Sequence, residues 1–333
     1  MLIIGVAGIQ LTEQERVFLQ HPSVAGVILF SRNFASKNQL NDLCSEIRQS
    51  AMQHQLICVD QEGGRVQRFK DGFFSLPSLE FIGANSVKNE SIALELAEQH
   101  AFLMSSEIIA SGLDLSFAPV ADLGRGNLAI GNRAFSADPQ TVALFIEAYI
   151  RGMHRAGMAA TLKHFPGHGS ILEDTHFDTA IDSRSLPDIS GLDLIPFKKG
   201  IHSGADAVMM AHVCYPKVSE QAAGYSEVWI QQILKSKLGF KGIVFSDDIG
   251  MAAAEAVGGV GARINLHLTA GCDVVLVCPP AMVAAALDAM PVCDYGIDKL
   301  DKLRAKICKP WPELIADHRY QQAIDAMNSM EQA

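Results

Sequence analysis

No two cysteines in this chain stand at C-x-x-C spacing. The seven cysteines, at positions 44, 58, 214, 272, 278, 293 and 308, are odd in number. Several lie inside apolar runs such as Ile57-Cys58-Val59 and Val277-Cys278. This argues against a thiolate zinc site and predicts reduced cysteines that pack as small hydrophobes in a cytosolic protein. Positive charge is also scarce. Lys and Arg number 27 against 37 Asp and Glu, a net charge of −10, which argues against a nucleic-acid partner, since that needs a basic face. No uncharged apolar run reaches the roughly 18 residues of a membrane span. The start, Met1-Leu2-Ile3-Ile4-Gly5-Val6, lacks the basic opening and long apolar core of a secretory signal. The expectation is a cytoplasmic monomer with neither membrane nor nucleic-acid partners. An apolar content of 49% with 19% charged residues suits a globular enzyme and excludes disorder.

What is present is a regular alternation. Short apolar runs occur at 2–6, 24–30, 56–60, 113–120, 158–162, 205–211, 242–246 and 273–277. Segments with helical spacing separate them, at 12–20, 36–53, 91–111, 139–156, 186–203, 226–237, 259–270 and 280–290. Thr12 with Glu15 forms a capping box, Gly112 stops the third segment, and Leu40, Leu43, Cys44, Ile47 and Ala51 share one face of the second. Strands alternating with helices predict a parallel sheet. A closed (β/α)8 barrel of the TIM type is favoured over an open doubly wound sheet for two reasons. No G-x-G-x-x-G follows the first strand. Polar residues (Asp60, Asp122, Lys163 with His164, His212, and Asp247 with Asp248) follow many strands rather than two at a switch point. No linker, repeat or low-complexity tract divides the chain, so residues 1–333 are read as one domain, with a helical tail from about Ile297 packed outside.

The stretch from Lys163 to His176 carries the most chemistry. Lys163-His164-Phe165-Pro166-Gly167-His168-Gly169 precedes Glu173-Asp174-Thr175-His176, placing a cation, three imidazoles and two carboxylates together. Pro166 and the glycines exclude a continuing helix and predict an ordered loop at the top of an active site. Metal binding is the rival use of such residues. The spacing His164-x3-His168-x7-His176 does not match H-E-x-x-H on a helix, so no metal and no cofactor is assigned. Asp174 and His176 can form a proton shuttle, in which the carboxylate orients the ring and raises its basicity. Asp60 and Arg68, in Asp60-Gln61-Glu62-Gly63-Gly64-Arg65-Val66-Gln67-Arg68, can accept from and donate to the hydroxyls of a sugar, or can brace their own loop. Arg133 can serve a polar substrate or pair with Asp122. Lys163 and His164 end the fifth strand, where they can bind hydroxyls or brace the barrel. Of the adjacent acids Asp247 and Asp248, only one can face a reacting atom, because successive side chains of an extended segment diverge.

Together these motifs resemble the bacterial β-N-acetylglucosaminidases of glycoside hydrolase family 3. The matching pieces are Ile28-Leu29-Phe30-Ser31-Arg32-Asn33, the Asp60–Arg68 stretch, Phe117-Ala118-Pro119-Val120-Ala121-Asp122, the Lys163–Gly169 loop, Asp174-Thr175-His176 and Phe245-Ser246-Asp247-Asp248. The resemblance is to the single-domain cytoplasmic Gram-negative type, which releases N-acetylglucosamine from muropeptides in cell-wall recycling. It implies that Asp247 is the nucleophile, that His176 is the general acid/base with Asp174 as its partner, and that Asp60, Arg68, Arg133, Lys163 and His164 hold the sugar. Two departures stand out. Ile249-Gly250-Met251 follows the acids where Leu-Ser-Met is common, and Asn132 precedes Arg133 where Glu is common. A retaining hydrolase needs a nucleophile and an acid/base on opposite faces of the anomeric carbon. An imidazole with an ordinary pKa of ~6.5 can give and take a proton near neutrality. As a neutral base it would not repel an anionic acceptor, so phosphorolysis is an expected side activity. The loop bearing His176 is expected to move during turnover. A sugar-binding barrel without turnover and a metal-dependent amidohydrolase-like barrel are the competing readings. The presence of Asp247, Asp174 and His176 favours the hydrolase.

Overall fold

The computed structural model describes residues 1–52, 55–171, 180–255, 257–291 and 295–331. Its centre is a sheet of eight strands: Leu2–Gly5, Val24–Leu29, Leu56–Val59, Leu115–Ser116, Thr161–Phe165, Ala207–Met210, Ile243–Asp248 and Val274–Val277. Numbered in chain order, they lie side by side as fourth, third, second, first, eighth, seventh, sixth and fifth, every pairing parallel. The remaining seam, between the fourth and fifth, is bridged in parallel at Val120 and Lys163. There Thr161 N donates to Ala118 O at 2.7 Å and Ala121 N to Lys163 O at 2.7 Å. This is the closed barrel expected from the sequence.

Strand sequences such as LIIG, VAGVIL and VVLV are buried at every position. Continuous apolar runs of this kind belong to parallel strands covered on both faces, by helices outside and by the barrel's own core inside. The expected capping box and the expected span of the helix at 139–156 are both present. Thr12 and Glu15 form the capping box, Asp138 caps the helix Pro139–Ala156 with Pro139 in its first turn, and Gly157 ends it in the left-handed conformation at φ 89°.

The structure departs from the sequence pattern in several places. The fourth strand is regular only over Leu115–Ser116, because Pro119 supplies no N–H to continue the ladder. The fifth runs from Thr161 to Phe165, so it starts later than the apolar run at 158 and takes in Lys163 and His164, read as its end, together with Phe165, read as loop. The helix expected over 186–203 is broken into Leu186–Gly191 and Leu194–His202. At the break the Asp193 carboxylate is drawn aside by Arg184 at 2.6 Å and by the Ser170 hydroxyl at 2.8 Å. A hairpin of Gln61–Gly63 with Val66–Gln67 and a small sheet of Ala180–Ile181, Val213–Tyr215 and Ser219–Ala222 stand outside the barrel.

The tail forms a 3-10 turn at Ile297–Leu303 and helices at Trp311–Ala316 and His318–Glu331. It packs on the helix Glu90–Ala110, where Tyr320 OH donates to Glu107 Oε1 at 2.7 Å, and Trp311 Nε1 donates to Ser111 Oγ at 3.2 Å just beyond it. Among the described cysteines, Cys44, Cys58, Cys272 and Cys278 are buried, and all six are unpaired with one another. Among the described residues no helix is long and apolar enough to cross a membrane.

Candidate active site

The C-terminal ends of the strands open into a cavity of about 400 Å³. Asp60, Arg68, Arg133, Lys163, His164 and Asp247 all line it. Six residues scattered over 188 positions of sequence are thus brought to one place by the barrel. Ile28, Phe30, Met209 and Leu276 supply an apolar part of the wall.

One side of the cavity is a cation–carboxylate cluster. Lys163, 1% exposed, donates from Nζ to Asp60 Oδ1 at 2.9 Å and to Glu62 Oε1 at 2.5 Å. Arg133 meets the same Glu62 with both arms of its fork, Nε and Nη2 each at 2.8 Å. Arg68 Nη2 stands 3.6 Å from Asp60 Oδ2, and its buried Nε has no hydrogen-bond partner among the described residues. Burial pushes the Asp60 carboxyl up, but Lys163 and Arg68 outweigh it and hold the group below its ordinary range. Burial likewise opposes ionisation of Glu62, and Arg133 and Lys163 reverse this by a wide margin. Sequence reasoning left Arg133 between a substrate and Asp122. The structure pairs it with Glu62. Glu62 itself was passed over as a site residue, although it stands two positions after Asp60 in the polar stretch already singled out.

Asp122 serves the other imidazoles. One oxygen accepts from the His164 backbone N–H at 3.0 Å and from His164 Nδ1 at 2.7 Å, and the other accepts from the His168 backbone N–H at 2.7 Å. Burial raises the Asp122 carboxyl and His164 more than offsets it, leaving the group below its ordinary range. An ionised carboxylate only accepts, so His164 Nδ1 is the donor and its ring is fixed in one orientation at the cavity wall. His168 sits in the turn that follows. There Gly169 passes so close to Leu123 that an added Cβ would lie 1.7 Å from its carbonyl oxygen.

The two adjacent acids differ. Asp248 Oδ1 accepts from the backbone N–H groups of Gly250 at 2.9 Å and Cys278 at 3.0 Å, tying the seventh strand to the eighth. Burial pushes its carboxyl up. Asp247 Oδ1 accepts from the Asp248 backbone N–H at 2.8 Å and otherwise faces the cavity. His212, another strand-end candidate, is buried and bonded through Nε2 to the Asp248 carbonyl at 3.0 Å, so it braces the seventh strand. Asp174 and His176 lie outside the described residues. The segment that contains them is flanked by Ser170, bonded to Asp193, and by Ala180, paired with Val213.

This arrangement suits a small polyhydroxyl ligand. The ammonium has three donors and two are engaged among the described residues, while the carboxylate oxygens of Asp60 keep lone pairs to accept hydroxyl protons. A carboxylate on the opposite strand faces the same space.

A family model described as the N-terminal domain of glycosyl hydrolase family 3 matches residues 2–307. A beta-hexosaminidase of Stenotrophomonas maltophilia is 62% identical over 320 residues, 96% of each chain. One from Xylella fastidiosa is 57% identical over the same length. Among solved structures, NagZ from Neisseria gonorrhoeae in complex with N-trifluoroacetyl-D-glucosamine matches with a TM-score of 0.92 at 38% identity, covering 99% of this chain and 97% of that one. A family 3 beta-N-acetylglucosaminidase from a Paenibacillus species matches with a TM-score of 0.82 at 31% identity, covering 99% of this chain and 60% of that one.

Proposed function

Because the chain belongs to glycosyl hydrolase family 3, as a β-N-acetylhexosaminidase, we propose that it removes terminal non-reducing N-acetylglucosamine by a retaining double displacement. The natural substrates are GlcNAc-1,6-anhydroMurNAc muropeptides released during cell-wall recycling in the cytoplasm. Asp60, Arg68, Arg133, Lys163 and His164 hold the sugar. Asp247 attacks the anomeric carbon while His176, oriented by Asp174, gives its proton to the departing oxygen. The glycosyl ester on Asp247 is then cleaved by water, whose proton returns to His176. No metal or cofactor takes part.

The observation that carries this reading is the contrast between the two adjacent acids. Both acids line the cavity, but Asp248 is spent on the backbone N–H groups of Gly250 and Cys278, whereas the Asp247 carboxylate has one local hydrogen bond. A neighbour solved with a glucosamine derivative supports the class of sugar. The test is hydrolysis of a chromogenic β-N-acetylglucosaminide, with and without EDTA. Wild-type turnover is expected to be indifferent to the chelator, and Asp247→Ala to lose about four orders of magnitude in kcat with its fold intact. An Asp247→Ala protein of near wild-type activity refutes the assignment. His176→Ala is expected to slow both formation and hydrolysis of the glycosyl-enzyme.

A further inference from the structure

We propose that Glu62 is a positioning residue for sugar recognition: it fixes the Lys163 ammonium and the Arg133 guanidinium in the places from which they meet the ligand. This rests on the sugar-binding assignment above. Glu62 is 1% exposed, and both of its oxygens are occupied by these two cations, at 2.5 Å from Lys163 and 2.8 Å twice from Arg133. A carboxylate so engaged acts through its partners. Its own backbone is held in the hairpin Gln61–Gly63 with Val66–Gln67, and Gly63 follows at φ 103°, where an added Cβ would lie 2.5 Å from Pro77 O. The same hairpin sets Arg68, whose backbone N–H donates to Gln61 Oε1 at 2.8 Å. The hairpin therefore delivers both a counter-charge and a cation to the cavity.

The charges make the role specific. Lys163, Arg133 and Arg68 face Asp60 and Glu62, a surplus of one positive charge. Without the Glu62 charge the surplus becomes two, and Arg133 loses its forked partner. Lys163 is left with Asp60 as its anionic neighbour and draws it away from sugar hydroxyls. Asp247 lies on the seventh strand and is not part of this cluster. The loss therefore falls on binding that ground state and transition state share, which raises KM and spares kcat.

The experiment compares wild type, Glu62→Gln, Arg133→Gln and the double variant. It measures kcat and KM on a chromogenic β-N-acetylglucosaminide, the inhibition constant of free N-acetylglucosamine, and Tm. Glu62→Gln is expected to raise KM and the inhibition constant together by about tenfold or more, with kcat within about threefold of wild type. The double variant, which removes one charge of each sign, is expected to raise KM by less than the product of the two single effects, since Glu62 acts in part through Arg133; a loss equal to that product would mean that Glu62 acts apart from Arg133, against the proposal. A folded Glu62→Gln protein with wild-type KM and inhibition constant overturns the proposal, as does a loss confined to kcat. If Glu62→Gln does not fold, Glu62→Asp decides: it keeps the charge but withdraws it from both cations, so KM and the inhibition constant should rise together, and wild-type values in a folded Glu62→Asp protein overturn the proposal. Wild-type protein that N-acetylglucosamine does not inhibit overturns the sugar assignment and this inference with it.

Discussion

Asp122→Asn is the most informative single change outside the reacting groups. The carboxylate is fully buried and accepts three hydrogen bonds from His164 and His168. Asparagine keeps the shape but offers one acceptor atom in place of two. If its oxygen stays with the His164 pair, its NH2 is turned against the His168 N–H. An orphaned buried donor costs about 1–3 kcal/mol. The two surviving bonds lose their charge, and since charged bonds are about twice as strong as neutral ones, that is roughly another 2 kcal/mol. The sum is about 4 kcal/mol. Unfolding entropy near 2.1 cal/mol/K per residue gives about 0.7 kcal/mol/K for a chain of 333 residues, so Tm should fall by about 6 °C. KM for the chromogenic glycoside should rise as well, because the His164 ring loses its fixed orientation. Calorimetry and steady-state kinetics read both effects. A fall in Tm below about 2 °C with unchanged KM would refute the reasoning that Asp122 clamps the turn.

Glu107 makes stability depend on pH. Burial pushes its carboxyl up to about 7, against hydrogen bonds from Tyr320 and the Phe74 backbone. Between the ordinary Glu value and about 7 the native group holds a proton that the unfolded chain has released. Stability is therefore lost as pH rises through this window, by roughly 3 kcal/mol. Glu107→Gln stays neutral and should flatten that slope. Urea midpoints at pH 5 and pH 8 that fall equally in both proteins would contradict the assignment. Gly169→Ala sets a Cβ 1.7 Å from the Leu123 carbonyl oxygen, a backbone atom that cannot swing aside. A destabilisation of about 3 kcal/mol is expected, and an unchanged denaturation midpoint would disprove it.

The barrel is legible in the sequence because its strands are buried on both faces and read as uninterrupted apolar runs. The same criterion misplaced the fifth strand. It stopped at Leu162, since Lys163 and His164 are polar, yet both are buried in the strand by partners distant in sequence. Arg133 and Glu62 are 71 residues apart, and no spacing rule links them. Asp122 was available as a partner for Arg133 on the same grounds, but three donors from the fifth strand and its turn claim it first. The hairpin after Asp60 escaped notice because its strands are two and three residues long, too short for alternation to register. Asp193 reads as an ordinary helix residue. The break falls beside it, where folding brings Arg184 and Ser170 to its carboxylate. What was missed is the pairing of charges, which tertiary contact decides.

Among the described residues, the fourth and fifth strands meet through a single bridge, at Val120 and Lys163. Lys163 thus helps to hold the ring shut with its backbone and lines the cavity with its side chain. Enclosure of the cavity and closure of the architecture are joined at this residue: a barrel ajar here would lose the register of the Lys163 ammonium with Asp60.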